Sequence, residues 1–166
     1  MIEIERKWVL KSLPSICDQF PKIAIRQGYI LDGEFELRLR QETINDVSIF
    51  TLAVKGSGNL LRTEWESEIP EWVFEGLWKN VKSFLVKDRF KIPHYQEHLI
   101  EYDRYLDRLS GLFIAECEFR SVAESEAFKL PNWLDEAADV TNDSRYKNKA
   151  LASLTSLDAL VITKGT

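Results

Sequence analysis

From Ile2 to Ser121 apolar and polar residues mostly alternate with a period of two, broken once by a helical spacing. Alternation of that kind is what half-buried strands require. It predicts strands over Ile2–Leu10, Ile23–Leu31, Phe35–Thr43, Val47–Lys55 and Leu61–Ile69. Asp32-Gly33 and Asn45-Asp46 supply hairpin turns between them, and Lys55-Gly-Ser-Gly-Asn59 supplies a looser one. Pro70 then opens a helix in which Val73, Phe74, Leu77 and Trp78 recur at helical spacing. Strands resume over Ser83–Ile92, Leu99–Leu106 and Leu112–Ser121, with Pro93 tolerable only at a strand end or edge. Past Val122 the pattern is helical and irregular, Pro131-Asn132 breaks it, and a last helix is expected from Ser144 to about Val161.

Eight short strands with hairpin punctuation predict an α+β, mainly β fold: an eight-stranded antiparallel closed β-barrel. Helices are expected to flank it or lie at one end. At 166 residues the chain fits a single domain spanning 1–166.

Residues at i, i+2 and i+4 of a strand share one face. That rule sorts the charges into stripes. The first strand aligns Glu3, Glu5 and Lys7 opposite Ile2, Ile4 and Trp8; the third aligns Arg38 and Arg40. Lys55 follows, then Arg62, Glu64 and Glu66, then Lys87 and Arg89, then Asp103, then Glu116 and Glu118. Seven acids (Glu3, Glu5, Glu64, Glu66, Asp103, Glu116, Glu118) face seven bases (Lys7, Arg38, Arg40, Lys55, Arg62, Lys87, Arg89). One such stripe would be an ordinary water-facing surface. Repeated strand after strand with almost no Ser, Thr or Asn, the stripes instead predict a wet, charged lumen. Guanidinium and ammonium groups match phosphate oxygens, and paired carboxylates offer the hard oxygens that Mg²⁺ or Mn²⁺ takes.

Composition excludes several classes. The net charge is −5, so no basic excess argues for nucleic acid or an anionic membrane. The 45% hydrophobic and 11% aromatic content belongs to a packed domain. Cys17 and Cys117 are too few for a disulfide framework or a metal cluster and are expected as reduced, buried thiols. The first residues carry charge where a secretory leader is apolar, and no apolar run approaches the ~20 residues of a membrane span. The expected compartment is the cytoplasm. His94 and His98, near the sixth turn, are expected at the surface.

Taken in order, the motifs resemble the CYTH superfamily, the triphosphate tunnel metalloenzymes. Glu3-Ile-Glu5-Arg-Lys7 matches its first motif, followed by Gln27-Gly28-Tyr29, Arg38-Leu-Arg40, Thr51 to Lys55-Gly56 and Arg62-Thr-Glu64-Trp-Glu66. Lys87-Asp-Arg89, Asp103, Gly111-Leu112, Glu116-Cys-Glu118-Phe119, Val140-Thr141, Arg145-Tyr146 and Asn148 continue the series. The run around Asp103 is more polar than the family's, and Lys147 stands where a small residue is common.

The resemblance implies a tunnel holding a triphosphate or polyphosphate and one or two Mg²⁺ or Mn²⁺ ions. Arg38, Arg40, Lys55, Arg62, Lys87, Arg89 and Lys7 would grip phosphate. Glu3, Glu5, Glu116 and Glu118 would hold the first metal, while Glu64, Glu66 and Asp103 would position a second metal or the attacking water. Lys55 and Lys87 would handle the proton. The implied activity is hydrolysis of tripolyphosphate or a nucleoside triphosphate. The alternatives are a class IV type adenylate cyclase and a non-catalytic polyphosphate-binding module. A homodimer would cover apolar barrel exteriors and the Trp72/Trp78 helix.

Overall fold

The computed structural model describes residues 2–31, 35–56, 61–94, 98–134 and 136–161, with the side chains of Ile2, Glu3, Leu31, Leu61, Arg62, Trp133 and Val161 outside that description. Among the described residues nine strands form one antiparallel sheet: β1 (Ile2–Leu10), β2 (Ile23–Leu31), β3 (Glu36–Ile44), β4 (Val47–Lys55), β5 (Leu61–Glu68), β6 (Ser83–Pro93), β7 (Leu99–Tyr105), β8 (Phe113–Glu118) and β9 (Ala138–Asp139). Their order is β5-β4-β3-β2-β6-β7-β8-β1-β9. In addition, Ile2–Ile4 of β1 pair with Leu61–Thr63 of β5, while Glu5 onward pairs with β8. The two ends of the eight-strand run therefore meet along a short ladder. The fold is α+β and mainly β. The ninth strand, two residues long, was not apparent in the alternation because two residues carry no period.

Local chemistry sets the turns. Asn45 and Asp46 both take positive φ, 48° and 64°, the requirement of a two-residue hairpin loop whose twist matches its strands. The Asp32-Gly33 turn lies outside the described residues.

Gly28 faces outward on β2 under the end of α1 (Glu71–Trp78). A Cβ there would sit 2.7 Å from Val81 Cγ1 and 3.0 Å from Trp78 Cη2, so no larger side chain fits without displacement. The same helix buries Phe74 against Phe50, ring centroids 4.9 Å apart, and Arg26 lies over Trp78 at 4.5 Å while pairing with Glu75 at 2.6 Å.

The interior and exterior faces of the sheet are packed differently. Outside β1, β6, β7 and β8, an apolar layer of Trp8, Phe90, Ile100, Tyr102 and Cys117 is covered by the 3₁₀ turn Ser15–Gln19 and by residues around Phe128 and Leu134. Both cysteines are free and buried, and burial pushes the thiols up, Cys17 to about 11 and Cys117 to about 12. On the inner face, one end is apolar: Tyr29, Leu85, Tyr105 and Ile114 meet Tyr146, Leu151, Ala152 and Leu160 from the C-terminal segment. Beyond them the same strand faces turn charged. A packed plug thus backs a polar chamber.

The long C-terminal helix expected from Ser144 to Val161 does not form. Instead a 3₁₀ turn at Ser144–Tyr146 is followed by α3 (Asn148–Ala152) and α4 (Asp158–Val161); α2 (Val122–Ala127) precedes them. Asp143 caps the 3₁₀ turn by accepting from Arg145 N, and Lys147 is extended. Ser153, Thr155 and Ser156 then favour local hydrogen bonds over helix propagation.

Candidate active site

A cavity of about 800 Å³ opens between the strands on the charged side of the plug. Register explains which side chains meet there. Arg38 and Arg40 stand opposite Ala53 and Thr51, Lys55 opposite Glu64, and Glu5 opposite Glu118. All of these lie on one face, and Glu5, Arg38, Arg40, Lys55, Glu64, Glu66, Arg89, Glu116 and Glu118 line the cavity together. Nine of the fourteen residues expected from the stripes are thus assembled around one space.

Three of the others lie just behind it. Lys87 and Asp103 are fully enclosed, their charges joined at 2.5 Å. Arg89 donates to both Asp103 oxygens at 2.7 Å and to Glu116 at 2.8 Å, and it also pairs with Glu101. Lys7 reaches Glu116 at 2.7 Å. Asp103 therefore fixes the position of Arg89, which does face the cavity. The side chains of Glu3 and Arg62 lie outside the described residues; their backbones are paired with each other in the β1–β5 ladder.

On the opposite wall, Lys55 pairs with Glu64 at 2.9 Å, and Arg38 bridges Glu64 at 3.3 Å and Glu66. Arg40 Nε donates to Gln27 Oε1 at 2.8 Å, and Gln27 Nε2 donates to Tyr29 Oη at 2.6 Å. Gln27 is buried and both ends of its amide are used, which presets the Arg40 side chain.

The electrostatics follow from burial among many charges. Burial pushes Lys87 down to about 8; Arg89 acts in the same direction, and Asp103 and Glu116 oppose both. Burial lowers Arg40, assisted by Arg38 and Arg89. Burial alone would raise Glu116, but Lys7, Lys87 and Arg89 hold its carboxyl well below the usual range. It is therefore ionised at neutral pH. The donor chemistry suits a hard divalent ion: Glu5, Glu101, Glu116 and Glu118 share the lining of a smaller pocket at the same wall. Among the described residues no three such groups already converge as a finished ligand set.

The stripes missed several participants. Glu101 lies two residues before Asp103 on the same face, pairs with Arg89 and with Lys91 at 3.0 Å, and lines the cavity. The i, i−2 rule applied to Asp103 identifies it. Asn148 enters from α3, accepting from Tyr105 Oη at 2.6 Å and donating to Glu116 at 3.5 Å; no strand period signals it. The surface expectation fails for His98, which is buried against Phe119 and Phe128 and pairs with Glu124 at 3.3 Å. Apolar cover from α2 and the chain after it encloses a ring that loop position alone suggested was wet.

No family model matches the sequence. An inorganic triphosphatase of Nitrosomonas europaea, however, is 38% identical over 157 residues, spanning 92% of this chain and 97% of that one. The chain belongs to the CYTH, or triphosphate tunnel, family. A solved inorganic triphosphatase overlays with a TM-score of 0.65 at 32% identity, covering 93% of this chain and 96% of the other. A candidate adenylyl cyclase from Hippeastrum with a dominant triphosphatase activity shares the fold, with a TM-score of 0.59 at 14% identity over 75% and 82% of the two chains. The CYTH strand order accounts for why charges so far apart in sequence meet in one chamber.

Proposed function

We propose that this protein is a divalent-metal-dependent triphosphatase that hydrolyses a phosphoric anhydride bond of inorganic tripolyphosphate. One observation carries the reading: Arg38, Arg40, Lys55 and Arg89 line a single cavity with Glu5, Glu64, Glu66, Glu116 and Glu118. The likeness to an inorganic triphosphatase over nearly its whole length supports it. The β1–β5 ladder supports reading the eight strands as a closed tunnel with the plug at one end.

Phosphoryl transfer asks a protein mainly for positioning and charge stabilisation. Arg38, Arg40, Lys55 and Arg89 hold the phosphate oxygens, with Arg62 and Lys7 completing the grip. Gln27 and Asp103 keep Arg40 and Arg89 in place. Glu5, Glu116 and Glu118, with Glu3, would hold a Mg²⁺ or Mn²⁺ ion, which would supply Lewis-acid polarisation of the phosphoryl oxygens. Glu64 and Glu66 would orient the attacking water or a second ion. Lys55, beside Glu64, takes part in moving the water's proton, and Lys87 sets the charge beneath Arg89. Water adds to the terminal phosphorus, the bridging P–O bond breaks, and phosphate and pyrophosphate leave.

Among the described lining residues the only aromatic side chain is Phe119, which gives a nucleobase little to stack on and disfavours ATP cyclisation. Among the described residues no helix is long and apolar enough to cross a membrane, and the cytoplasm remains the proposed compartment. Exposed Trp65 and Trp72 leave apolar surface that a second copy could cover.

The test incubates purified protein with tripolyphosphate and Mg²⁺ or Mn²⁺ and follows phosphate, with ATP and cyclic AMP detection in parallel. Release from tripolyphosphate that stops with EDTA is expected. No release with either metal, or cyclic AMP as the main product from ATP, overturns the proposal.

A further inference from the structure

A second cavity, about 590 Å³, lies at the plugged end of the sheet, away from the carboxylates. Tyr29, Lys82, Phe84, Arg108, Lys149 and Ser153 are among its walls. Its charge runs against that of the molecule. The chain has a net charge of −5, yet the lining includes three cations and, among the described residues, no carboxylate.

Among the described residues, two of those cations have no acidic partner. Lys82 makes no ion pair among the described residues. Arg108 donates from Nε to Leu154 O at 2.7 Å and from Nη2 to Ala152 O at 2.7 Å and to Phe84 O, all of them neutral carbonyls. The guanidinium is thereby fixed in orientation, and no described carboxylate cancels its charge. Its carbon lies 5.2 Å from the Phe84 ring centroid, and Phe84 is 45% exposed. The guanidinium lies over the ring, and this fixed cation–π stack is of the kind that a further planar ring extends.

A simple anion would leave that ring wet, and an apolar guest would leave Lys82 and Arg108 without a counter-charge. A guest carrying both a flat ring and a phosphate satisfies every wall. We propose that this groove is a nucleotide-binding site, with the base against Phe84 and Arg108 and the phosphate on Lys82 and Lys149. The plug of Tyr29, Tyr105, Tyr146 and Leu151 separates it from the charged chamber, so the two cavities fill independently.

Isothermal titration of the full chain with AMP, in parallel with inorganic phosphate, tests this. Saturable AMP binding is expected, at least about tenfold tighter than phosphate because the base contributes stacking. Lys82→Glu and Phe84→Ala should each weaken AMP by about tenfold or more while leaving tripolyphosphate hydrolysis unchanged. Arg40→Ala, in the other cavity, should leave AMP binding intact. If Phe84→Ala unfolds, Lys82→Glu, at an exposed position, still decides. No saturable binding at millimolar AMP, equal affinity for phosphate, or binding that survives Lys82→Glu overturns the proposal. Loss of AMP binding in Arg40→Ala assigns it to the tunnel and overturns it equally.

Discussion

Asp103→Asn offers the sharpest measure of how the site is held together. The carboxylate is fully enclosed and accepts from Lys87 at 2.5 Å and twice from Arg89 at 2.7 Å. An amide keeps the shape but loses the charge and one acceptor, leaving two cations confined around a single carbonyl oxygen. Removing one partner from a buried ion pair costs about 3–5 kcal/mol. With a urea dependence of about 2 kcal/mol/M, the unfolding midpoint should drop by roughly 1.5–2.5 M at unchanged slope. Adding Lys87→Met removes one stranded cation and should recover part of the loss. Equilibrium urea unfolding at pH 7 of wild type, Asp103→Asn and the double variant makes the comparison. A loss under about 1 kcal/mol, or a double variant less stable than the single one, would refute the account of Asp103 as the anchor of Arg89.

Glu5→Gln, on the cavity wall, should abolish phosphate release yet leave the thermal midpoint within about 4 °C of wild type, since the amide keeps the shape of a carboxylate that is part-buried outside the apolar core. Arg40→Ala should chiefly raise KM for tripolyphosphate in steady-state assays; an unchanged KM removes it from the substrate grip. Gly28→Ala drives a methyl into Val81 and Trp78, so overpacking should cost about 1–3 kcal/mol, roughly 3–9 °C in a thermal scan. Glu101 is held below its ordinary value of 4.5: burial alone would raise it, but Arg89 and Lys91 outweigh burial. The native state therefore binds fewer protons than the unfolded chain as pH falls through that value. Stability is full above it and drains below it. Glu101→Gln should flatten the fall in melting temperature between neutral pH and about pH 3, and parallel curves for the two proteins would exclude this role.

The alternation of the chain made the strands legible because a face that must be buried or charged constrains every second residue. β1, β2 and β4 begin and end where that pattern does. The same parity brings Arg38, Arg40, Lys55 and Arg89 around one space. It said less about enclosure. Asp103 and Glu116 look alike in a stripe, yet one is walled in by Lys87 and Arg89 while the other reaches the cavity. Depth within the cavity depends on what the C-terminal segment inserts, and α3 has no strand period to announce it. His98 likewise is buried by Phe119 and Phe128 from elsewhere in the chain, which local sequence cannot reveal. The broken C-terminal helix reflects capping at Asp143 and the run of hydroxyl residues, which a simple helical spacing overlooks.

The pairing of Lys7, Arg38, Lys55 and Arg89 with Glu116, Glu66 and Glu64 has a thermodynamic consequence. A divalent cation arriving alone would strand the bases it displaces, and a polyanion arriving alone would strand the acids. Arriving together, they let every side chain trade one counter-ion for another. Metal and triphosphate should therefore tighten each other's binding by one common factor, whichever is titrated first.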